Sequence, residues 1–428
     1  MATPVSVAPS KPTFEQWRLL ALLVFAVFVN YIDRSNLSVS ATNIKSEFHL
    51  TGEQLGLASS WFFGSYALCQ LLAGWLFERF SVHTVLGAGF VLWSLATAAT
   101  GFVEGFTALL VTRVVLGIGE SVAYPAFSKI IASDYAESQR GTANALIDAG
   151  SKLGPALGTY FGGLVVAAYG WRSLFLILGF GAMIWVPFWF LWAPRKERPE
   201  QLALAAAANV RIPSMLELLK KKQVWGSFLG LFAINYAWYF MITWFPFYLE
   251  NVRHFSKERM ATYGAIPFVL IGIAATLAGI LADRLIAQGG SPTQIRKRFI
   301  ITGLLANTLL LPAGMAESDV FSMGLFWLAS FCFGLTTANH WAVTQTIAGP
   351  AVAGKWTGMQ NCFGNLAGVV APWLTGRIID VTGSFYWAFV GVALMVVMGA
   401  ASYAFLVGRI EPIRWGRNDD ASLAVAPR

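Results

Sequence analysis

Long apolar segments recur along the whole sequence, and they restrict the possible fold more than any other feature. Each is about 20 residues long, the length that a helix needs to cross a hydrocarbon core about 30 Å thick. Only 12% of the 428 residues are charged and 56% are hydrophobic, whereas soluble domains carry about a quarter charged residues. We therefore predict an all-α membrane protein. Its twelve transmembrane helices are predicted at 17–39, 55–77, 84–103, 106–131, 143–168, 173–193, 223–249, 260–282, 299–316, 320–346, 357–378 and 384–408.

The basic residues of the loops predict the orientation of these spans. Loops on the side of the two termini contain the clusters Arg195-Lys196-Arg198, Lys220-Lys221-Lys222 and Arg296-Lys297-Arg298, whereas the opposite loops contain few basic residues. Since loops rich in lysine and arginine stay in the cytoplasm, both termini are predicted to be cytoplasmic, in the inner (plasma) membrane of a bacterium. The net charge of +8 is explained by these loops. The expected partner is therefore the lipid bilayer and no nucleic acid.

A long polar stretch divides the chain into two groups of six spans. We predict an N-terminal six-helix bundle at 1–193, a cytoplasmic linker at 194–222, and a C-terminal six-helix bundle at 223–428 that ends in a short cytoplasmic tail. A monomer is expected.

A short pattern occurs after both the second and the eighth span, half a chain apart. It places a glycine one turn before an acid–base pair, so that neighbouring helices can approach while the charges bridge helix ends. We predict that both copies are gating loops. They consist of Gly74, Glu78 and Arg79 in the first half and of Gly279, Asp283 and Arg284 in the second.

Four charged residues lie inside two predicted spans, where each charge costs roughly 3 kcal/mol or more. Asp33 and Arg34 are adjacent in the first span, and Arg113 and Glu120 share one helix face of the fourth. A carboxyl group can take up and release a proton, whereas arginine stays charged and binds a carboxylate through two hydrogen bonds. We predict that Asp33 and Glu120 couple to protons and that Arg34 and Arg113 bind an organic anion. Ion pairs that only hold helices together are the open alternative.

Further polar residues in the spans are candidates for contacts with this anion. Lys152 follows Asp148 by four residues, so the two either neutralise each other on one helix face or Lys152 adds a positive charge to the cavity. Polar groups inside a bilayer need partners, and a hydroxyl-rich substrate supplies them. Besides the two arginines, the predicted contacts are Tyr31, Tyr66, Ser151, Lys152, His340, Trp341 and Asn361.

These features together resemble the major facilitator superfamily. The twelve spans, the six-plus-six division, the paired loops and the segment Gly154-Pro155-Ala156-Leu157-Gly158 carry the resemblance. Within that superfamily, two motifs resemble the anion:cation symporter branch: Tyr31-Ile-Asp33-Arg34-Ser-Asn36 and Arg113-x-x-x-Gly117-x-Gly119-Glu120-x-x-x-x-Pro125. The resemblance implies two pseudo-symmetric six-helix bundles that work by alternating access. Glu78 stands where the family usually has Asp, which implies a weaker contact in the first gating loop.

The predicted function is proton-coupled symport of a small organic anion, and a sugar acid (hexonate, hexuronate or aldarate) is favoured. The alternatives are an organic-anion or organic-phosphate exchanger and a carrier of a non-sugar carboxylate such as tartrate, an aromatic acid or pantothenate. A transporter-like nutrient sensor belongs to a different class. No enzyme activity, cofactor or metal is expected, because the chain has no His or Cys set in metal-ligand spacing and no Gly-x-Ser-x-Gly elbow.

Overall fold

The structure, a computed structural model, describes residues 12–135, 137–193, 213–349 and 352–413. Within these ranges the regular structure is helical throughout. The basic cluster at 195–198 and most of the predicted linker, 194–212, lie outside the described residues; the rest of the linker contains the short helix Met215–Leu219. The division into bundles at residues 193 and 223 therefore stays a prediction, as does the cytoplasmic position of the termini.

The twelve predicted membrane spans are confirmed, and we number them span 1 to span 12. Spans 1 to 6 are Phe14–Val39, Gly52–Arg79, Val82–Thr100, Phe106–Glu120 with Ala123–Asp134, Glu137–Tyr169, and Trp171–Ala182 with Trp185–Trp192. Spans 7 to 12 are Lys222–Asn251, Lys257–Ala287, Pro292–Ala306 with Asn307–Leu309 and Leu310–Met315, Asp319–Ala348, Ala353–Thr382, and Phe385–Ala401 with Ser402–Leu406. A short helix, Ala41–Glu47, follows span 1.

Nine of the spans in the described residues are long and apolar enough, on composition alone, to cross a membrane. The other three, spans 2, 5 and 11, are 28, 33 and 30 residues long, which is sufficient to cross a membrane, and they contain polar residues. All three pack against the opposite half of the molecule. Their polar faces are therefore covered by protein, and they do not need to be apolar on every side.

The packing of the spans repeats after a shift of six. Span 1 packs on span 5, span 2 on span 4, and span 3 on spans 4 and 6. Correspondingly, span 7 packs on span 11, span 8 on span 10, and span 9 on spans 10 and 12. The halves meet where span 2 contacts span 11, where span 5 contacts span 8, and where span 1 contacts span 7. This repetition is the pseudo-symmetry expected of two related bundles.

Hydrogen bonds join the two halves at the end opposite the termini. The backbone N–H groups of Gly52 and Glu53 donate to the Asp380 carboxylate at 2.8 Å and 2.6 Å. Because Gly52 and Glu53 begin span 2, this carboxylate also meets the positive end of the helix dipole. Glu53 in turn accepts from Arg377 at 2.8 Å and from Trp373 at 3.0 Å. Span 11 is thereby attached to the start of span 2.

A second set of contacts closes the same end beside spans 1 and 8. The Lys257 ammonium donates to the carbonyl of Val39 at 3.1 Å, and the Asn251 amide donates to the Thr42 hydroxyl at 2.8 Å. On the part of span 5 that is nearer the termini, the side chain of Asp148 is 59% exposed. The space between the halves is therefore closed at one end and accessible from the other.

Glycine allows spans 2 and 11 to touch at the closed end. A side chain at Gly56 would collide with the carbonyl oxygen of Pro372, and one at Gly376 would collide with the carbonyl oxygen of Gly52. Two turns further along span 2, a side chain at Gly64 would meet nothing within 4 Å. Small residues at helix contacts permit such close backbone approach in membranes.

We expect the substitution Gly56→Leu to separate the halves at the closed end, because leucine cannot fit against the backbone of span 11. A cysteine at Ser60, whose hydroxyl donates to the Val369 carbonyl at 2.6 Å, reports this opening by its rate of maleimide labelling. The background lacks Cys69, Cys332 and Cys362. Labelling should rise with Gly56→Leu and stay unchanged with the control Gly64→Leu. Equal labelling of the two variants would contradict the close approach of these spans.

Candidate functional site

Arg34 and Glu120 form a buried ion pair between spans 1 and 4. Nε of Arg34 donates to Oε2 of Glu120 at 3.3 Å, and the two side chains are 3% and 0% exposed. Nη2 of Arg34 and Oε1 of Glu120 have no hydrogen-bond partner among the described residues. The guanidinium therefore keeps a free donor that can bind a further anionic oxygen. Span 4 is interrupted by a turn directly after Glu120, where the sequence predicted a continuous helix.

Four aromatic rings surround the guanidinium of Arg34. Its Cζ lies 4.7 Å from the ring centre of Tyr31, 4.9 Å from that of Tyr66, 5.5 Å from that of Phe62 and 5.9 Å from that of Phe63. Such cation–π contacts stabilise a desolvated cation and fix its position. Two of these rings, Tyr31 and Tyr66, carry hydroxyls and were predicted from the sequence to bind the substrate.

Asp33 points to a different side of span 1 from Arg34, as adjacent residues of a helix must. Its carboxylate accepts from Nδ2 of Asn36 at 3.1 Å and lies close to the guanidinium of Arg113. Nη2 of Arg113 donates to the hydroxyl of Thr100 on span 3 at 3.0 Å. Asp33 and Arg113 are 2% and 3% exposed. The two acids are therefore each close to a different arginine.

A small cavity connects these groups with the C-terminal half. Its volume is about 20 Å³, which is room for about one water molecule. Asp33, Arg34 and Arg113 line it from the N-terminal half, Ser59 joins them from span 2, and Thr243 faces them from span 7. The three charged residues thus line one cavity at the boundary between the halves.

Lys152 and its neighbours on span 5 form a second polar group in the boundary. Nζ of Lys152 donates to Oδ1 of Asp148 at 2.9 Å and to Oγ of Ser151 at 3.1 Å. The same Nζ lies 5.6 Å from the ring centre of Trp238 on span 7. Lys152 is thus paired on its own helix, and it also reaches the opposite half.

The C-terminal half contributes neutral polar groups and rings. His340 is 3% exposed, its ring centre lies 4.4 Å from that of Trp341, and neither ring nitrogen makes a well-formed hydrogen bond. Its charged neighbours are Asp148 and Lys152 of the other half. Asn361 is half-buried near the start of span 11.

Tyr239 on span 7 connects this half to the aromatic rings around Arg34. Its hydroxyl donates to Oδ1 of Asn365 at 2.8 Å, and its ring centre lies 4.2 Å from that of Phe63. The guanidinium of Arg34 also acts electrostatically on the Tyr239 hydroxyl. Residues from both halves therefore meet at Arg34.

The predicted gating loops lie at the end of the molecule where the two termini are, away from Arg34 and its neighbours. In the second half, Asp283 accepts from Arg296 at 2.9 Å, and Arg296 also donates to Asn339 on span 10 at 3.2 Å. A side chain at Gly279 would meet Ala338 at 3.4 Å, and Arg284 is exposed. In the first half Arg79 is exposed, whereas the surroundings of Gly74 and the side chain of Glu78 lie outside the described part of the chain.

Several residues of the site were missed from the sequence. Phe62, Phe63 and Tyr124 contact Arg34 or Tyr31, and Thr97 and Thr100 face Asp33 and Arg113. Two signals were present. The aromatic residues of span 2 recur three and four apart up to Tyr66, and two threonines of span 3 are three apart, so each set lies on one helix face. The functional roles of all site residues stay predictions.

Comparisons with known proteins agree on one family. A family model described as Major Facilitator Superfamily matches residues 23–372. A hexuronate transporter of Bacillus subtilis (strain 168) is 30% identical to this chain, with 87% of this chain and 90% of that protein covered. A probable galactarate/D-glucarate transporter of the same organism is 28% identical, with 98% and 99% covered.

A solved structure shares the fold. It is a bacterial homologue of the human lysosomal transporter Spinster in an inward-facing and occupied conformation, with a TM-score of 0.79. The alignment covers 92% of this chain and 97% of that chain at 19% identity. At this identity the likeness concerns the fold alone.

Replacing Asp33 with asparagine should destabilise the protein, because it removes the carboxylate that acts most strongly on the buried guanidinium of Arg113. Leaving a buried charge without its counter-charge costs up to about 3–5 kcal/mol. Thermal unfolding in detergent should show a lower midpoint for Asp33→Asn. The double variant Asp33→Asn/Arg113→Met should recover most of the loss, because no unpaired charge remains. An equal or larger loss in the double variant would show that the two residues are not partners.

Proposed function

The chain belongs to the Major Facilitator Superfamily, and from this premise we propose that it is a proton-coupled symporter of a hydroxylated sugar acid that works by alternating access. The observation that carries the proposal is the buried pair of Arg34 and Glu120. It places a permanent cation against a group that can change its charge, at the boundary between the two halves.

Glu120 and the carboxylate of a substrate compete for the same guanidinium in this proposal. While Glu120 is ionised it neutralises Arg34, and a second anion gains little there. When Glu120 takes up a proton, Arg34 is left with an uncompensated charge in a desolvated site and binds the substrate carboxylate. Release of the substrate lets Glu120 lose its proton and pair with Arg34 again. One proton thus accompanies each carboxylate.

The membrane potential makes such coupling useful. With the interior negative, moving one negative charge inward costs about 2.3 kcal/mol per 100 mV. One proton per monoanion cancels this cost, and a second proton makes the potential assist uptake. Asp33 and Glu120 lie beside different arginines, which supports a capacity for two protons in each cycle.

The contacts between the two bundles support one of the two states that alternating access requires. The end with Asp380 and Lys257 is closed, and the end with the termini is accessible. With both termini in the cytoplasm and the chain in the inner membrane, as we propose, this arrangement is inward-facing. Opening to the other side then requires spans 2 and 11 to part at Gly56 and Gly376.

The chemistry around Arg34 favours a substrate with several hydroxyl groups. Tyr31, Tyr66 and Tyr239 present phenolic groups to the same centre, and the Tyr239 hydroxyl donates to the amide oxygen of Asn365 on span 11. The relatives named above carry or are thought to carry hexuronate and galactarate or D-glucarate. We therefore propose a hexonate, hexuronate or aldarate as the substrate.

Replacing Glu120 with glutamine should abolish uphill uptake, because a neutral amide cannot take up a proton when the substrate binds and release it afterwards. In proteoliposomes loaded at higher pH than the medium, wild type should accumulate labelled hexuronate, galactarate or galactonate, whereas Glu120→Gln should not. Counterflow exchange of the same acid should persist, since it needs no net proton movement. Glu250, which pairs with Lys257 near the closed end, provides a control in Glu250→Gln.

Two results would contradict this proposal. Acid-driven accumulation that survives in Glu120→Gln would exclude Glu120 as the coupling group. Uptake by wild type that requires a counter-substrate and ignores the pH gradient would favour an organic-anion or organic-phosphate exchanger instead.

Lys152 should distinguish acids with one carboxylate from acids with two. Its ammonium lies in the boundary with span 7, where it can bind the second carboxylate of an aldarate. Losing one charge-assisted hydrogen bond of about 1.5–3 kcal/mol should raise the KM of Lys152→Gln for galactarate about tenfold or more. The KM for a hexuronate should change little, and Lys152→Arg should retain most of the affinity. Equal losses for both acids would assign Lys152 and Asp148 a structural role.

A further inference from the structure

Three buried polar side chains on spans 1 and 3 have no role in the proposed binding of the substrate. Asn30, Trp93 and Ser94 are each 0% exposed. The amide atoms of Asn30, Nε1 of Trp93 and Oγ of Ser94 have no hydrogen-bond partner among the described residues. Polar groups in a membrane interior need hydrogen-bond partners. These three side chains are therefore expected to bind a group other than the described residues.

Helix geometry places Asn30 and Ser94 at about the same level of the bundle. Spans 1 and 3 both begin at the end of the termini and run in the same direction, and Asp33 on span 1 faces Thr97 on span 3. Asn30 precedes Asp33 by three residues, and Ser94 precedes Thr97 by three residues. Each step is nearly one helical turn, so Asn30 and Ser94 lie at one level, one turn closer to the termini.

The same register brings Glu120 to this level. Span 4 runs in the opposite direction, and its Arg113 binds Thr100 on span 3. Seven residues, about two turns, separate Arg113 from Glu120 and likewise Thr100 from Trp93. The close approach of Gly119 to Trp93, where a side chain at Gly119 would come within 2.9 Å of the Trp93 Cβ, agrees with this alignment. Trp93 therefore lies at the level of Glu120, and Asn30 and Ser94 lie close to that level, about one turn from Asp33 on the side of the termini.

We propose that Asn30, Trp93 and Ser94 hold a short chain of ordered water that passes a proton between Glu120 and Asp33 inside the N-terminal half. The inference rests on the proposed proton coupling. Buried waters bind where two to four polar groups converge, and these residues supply both donors and acceptors. We name this set the polar relay.

The transfer balances without any other reactant. The O–H bond of one carboxyl group breaks, each water accepts one proton and donates another, and an O–H bond forms on the other carboxylate. An amide, an indole N–H and a hydroxyl offer no carboxylate, imidazole or thiolate to a metal cation, which makes water the occupant.

Replacing Asn30 with leucine tests the polar relay, because the change removes the amide at nearly constant volume. Uphill, acid-driven uptake in proteoliposomes should fall several-fold, while counterflow of the same acid stays within about twofold of wild type. Asn30→Ser, which keeps a group that binds water, should restore much of the uphill uptake. The matched control is Thr159→Val, because Thr159 on span 5 is equally buried and its hydroxyl is also without a partner.

Three outcomes would overturn the inference. Undiminished uphill uptake in Asn30→Leu would show that the proton takes another route. A parallel loss of uphill uptake and counterflow would show that Asn30 only supports the fold. If wild type itself accumulates no acid in a pH gradient, the proposed coupling fails first, and the polar relay fails with it.

Radiolytic hydroxyl-radical labelling of the wild type tests the water directly, even if a variant does not fold. The radicals form from water, so a buried tryptophan is oxidised only when ordered water lies beside it. We expect labelling of Trp93. Trp185 is the control, because it is 2% exposed and its Nε1 donates to the Leu22 carbonyl at 3.0 Å. An unlabelled Trp93, oxidised no faster than Trp185, would exclude the water chain.

Discussion

The buried pair of Arg34 and Glu120 is the interaction on which the rest of the site depends. An isolated charge at this depth is costly, so each member is stable only because the other is present. Tyr31, Tyr66, Phe62 and Phe63 hold the guanidinium within 4.7–5.9 Å of their ring centres and keep the pair away from lipid. When Glu120 becomes neutral, Arg34 loses its counter-charge and needs another anion. This is the physical basis of the coupling that we propose.

The fold places this pair where a change of charge can be converted into movement. Arg34 lies against Phe63 of span 2, and Phe63 contacts Tyr239 of the opposite half. At one end of the same boundary, Asp380 of span 11 accepts hydrogen bonds from the start of span 2. The two spans can approach closely there because Gly56 and Gly376 have no side chains. Binding of an anion by Arg34 would thus take place on the surface along which the two halves must separate.

Asp33 and Arg34 are adjacent on span 1, and we propose different roles for them, proton coupling for Asp33 and anion binding for Arg34. Asp33 and Arg34 point about 100° apart, so Arg34 lies against Glu120 and the aromatic rings while Asp33 lies toward Arg113, and both line the cavity at the boundary. This separation permits a proton route within the N-terminal half and an anion site between the halves. The polar relay that we propose, Asn30, Trp93 and Ser94, belongs to the N-terminal half, as does Lys152 at the boundary, and His340 lies on the opposite side of that boundary.

The sequence alone determined the twelve spans, the six-plus-six division and the family, because helix length, apolar content and short motifs are local properties. It also singled out Asp33, Arg34, Arg113 and Glu120, since charge is conspicuous in apolar segments. Only the tertiary structure decided which acid lies beside which arginine, that Phe62 and Phe63 enclose Arg34, and that Asn30 and Ser94 share one level. Those relations depend on how separate helices face each other, and hydrophobic periodicity along one helix contains no information about the register of its neighbour.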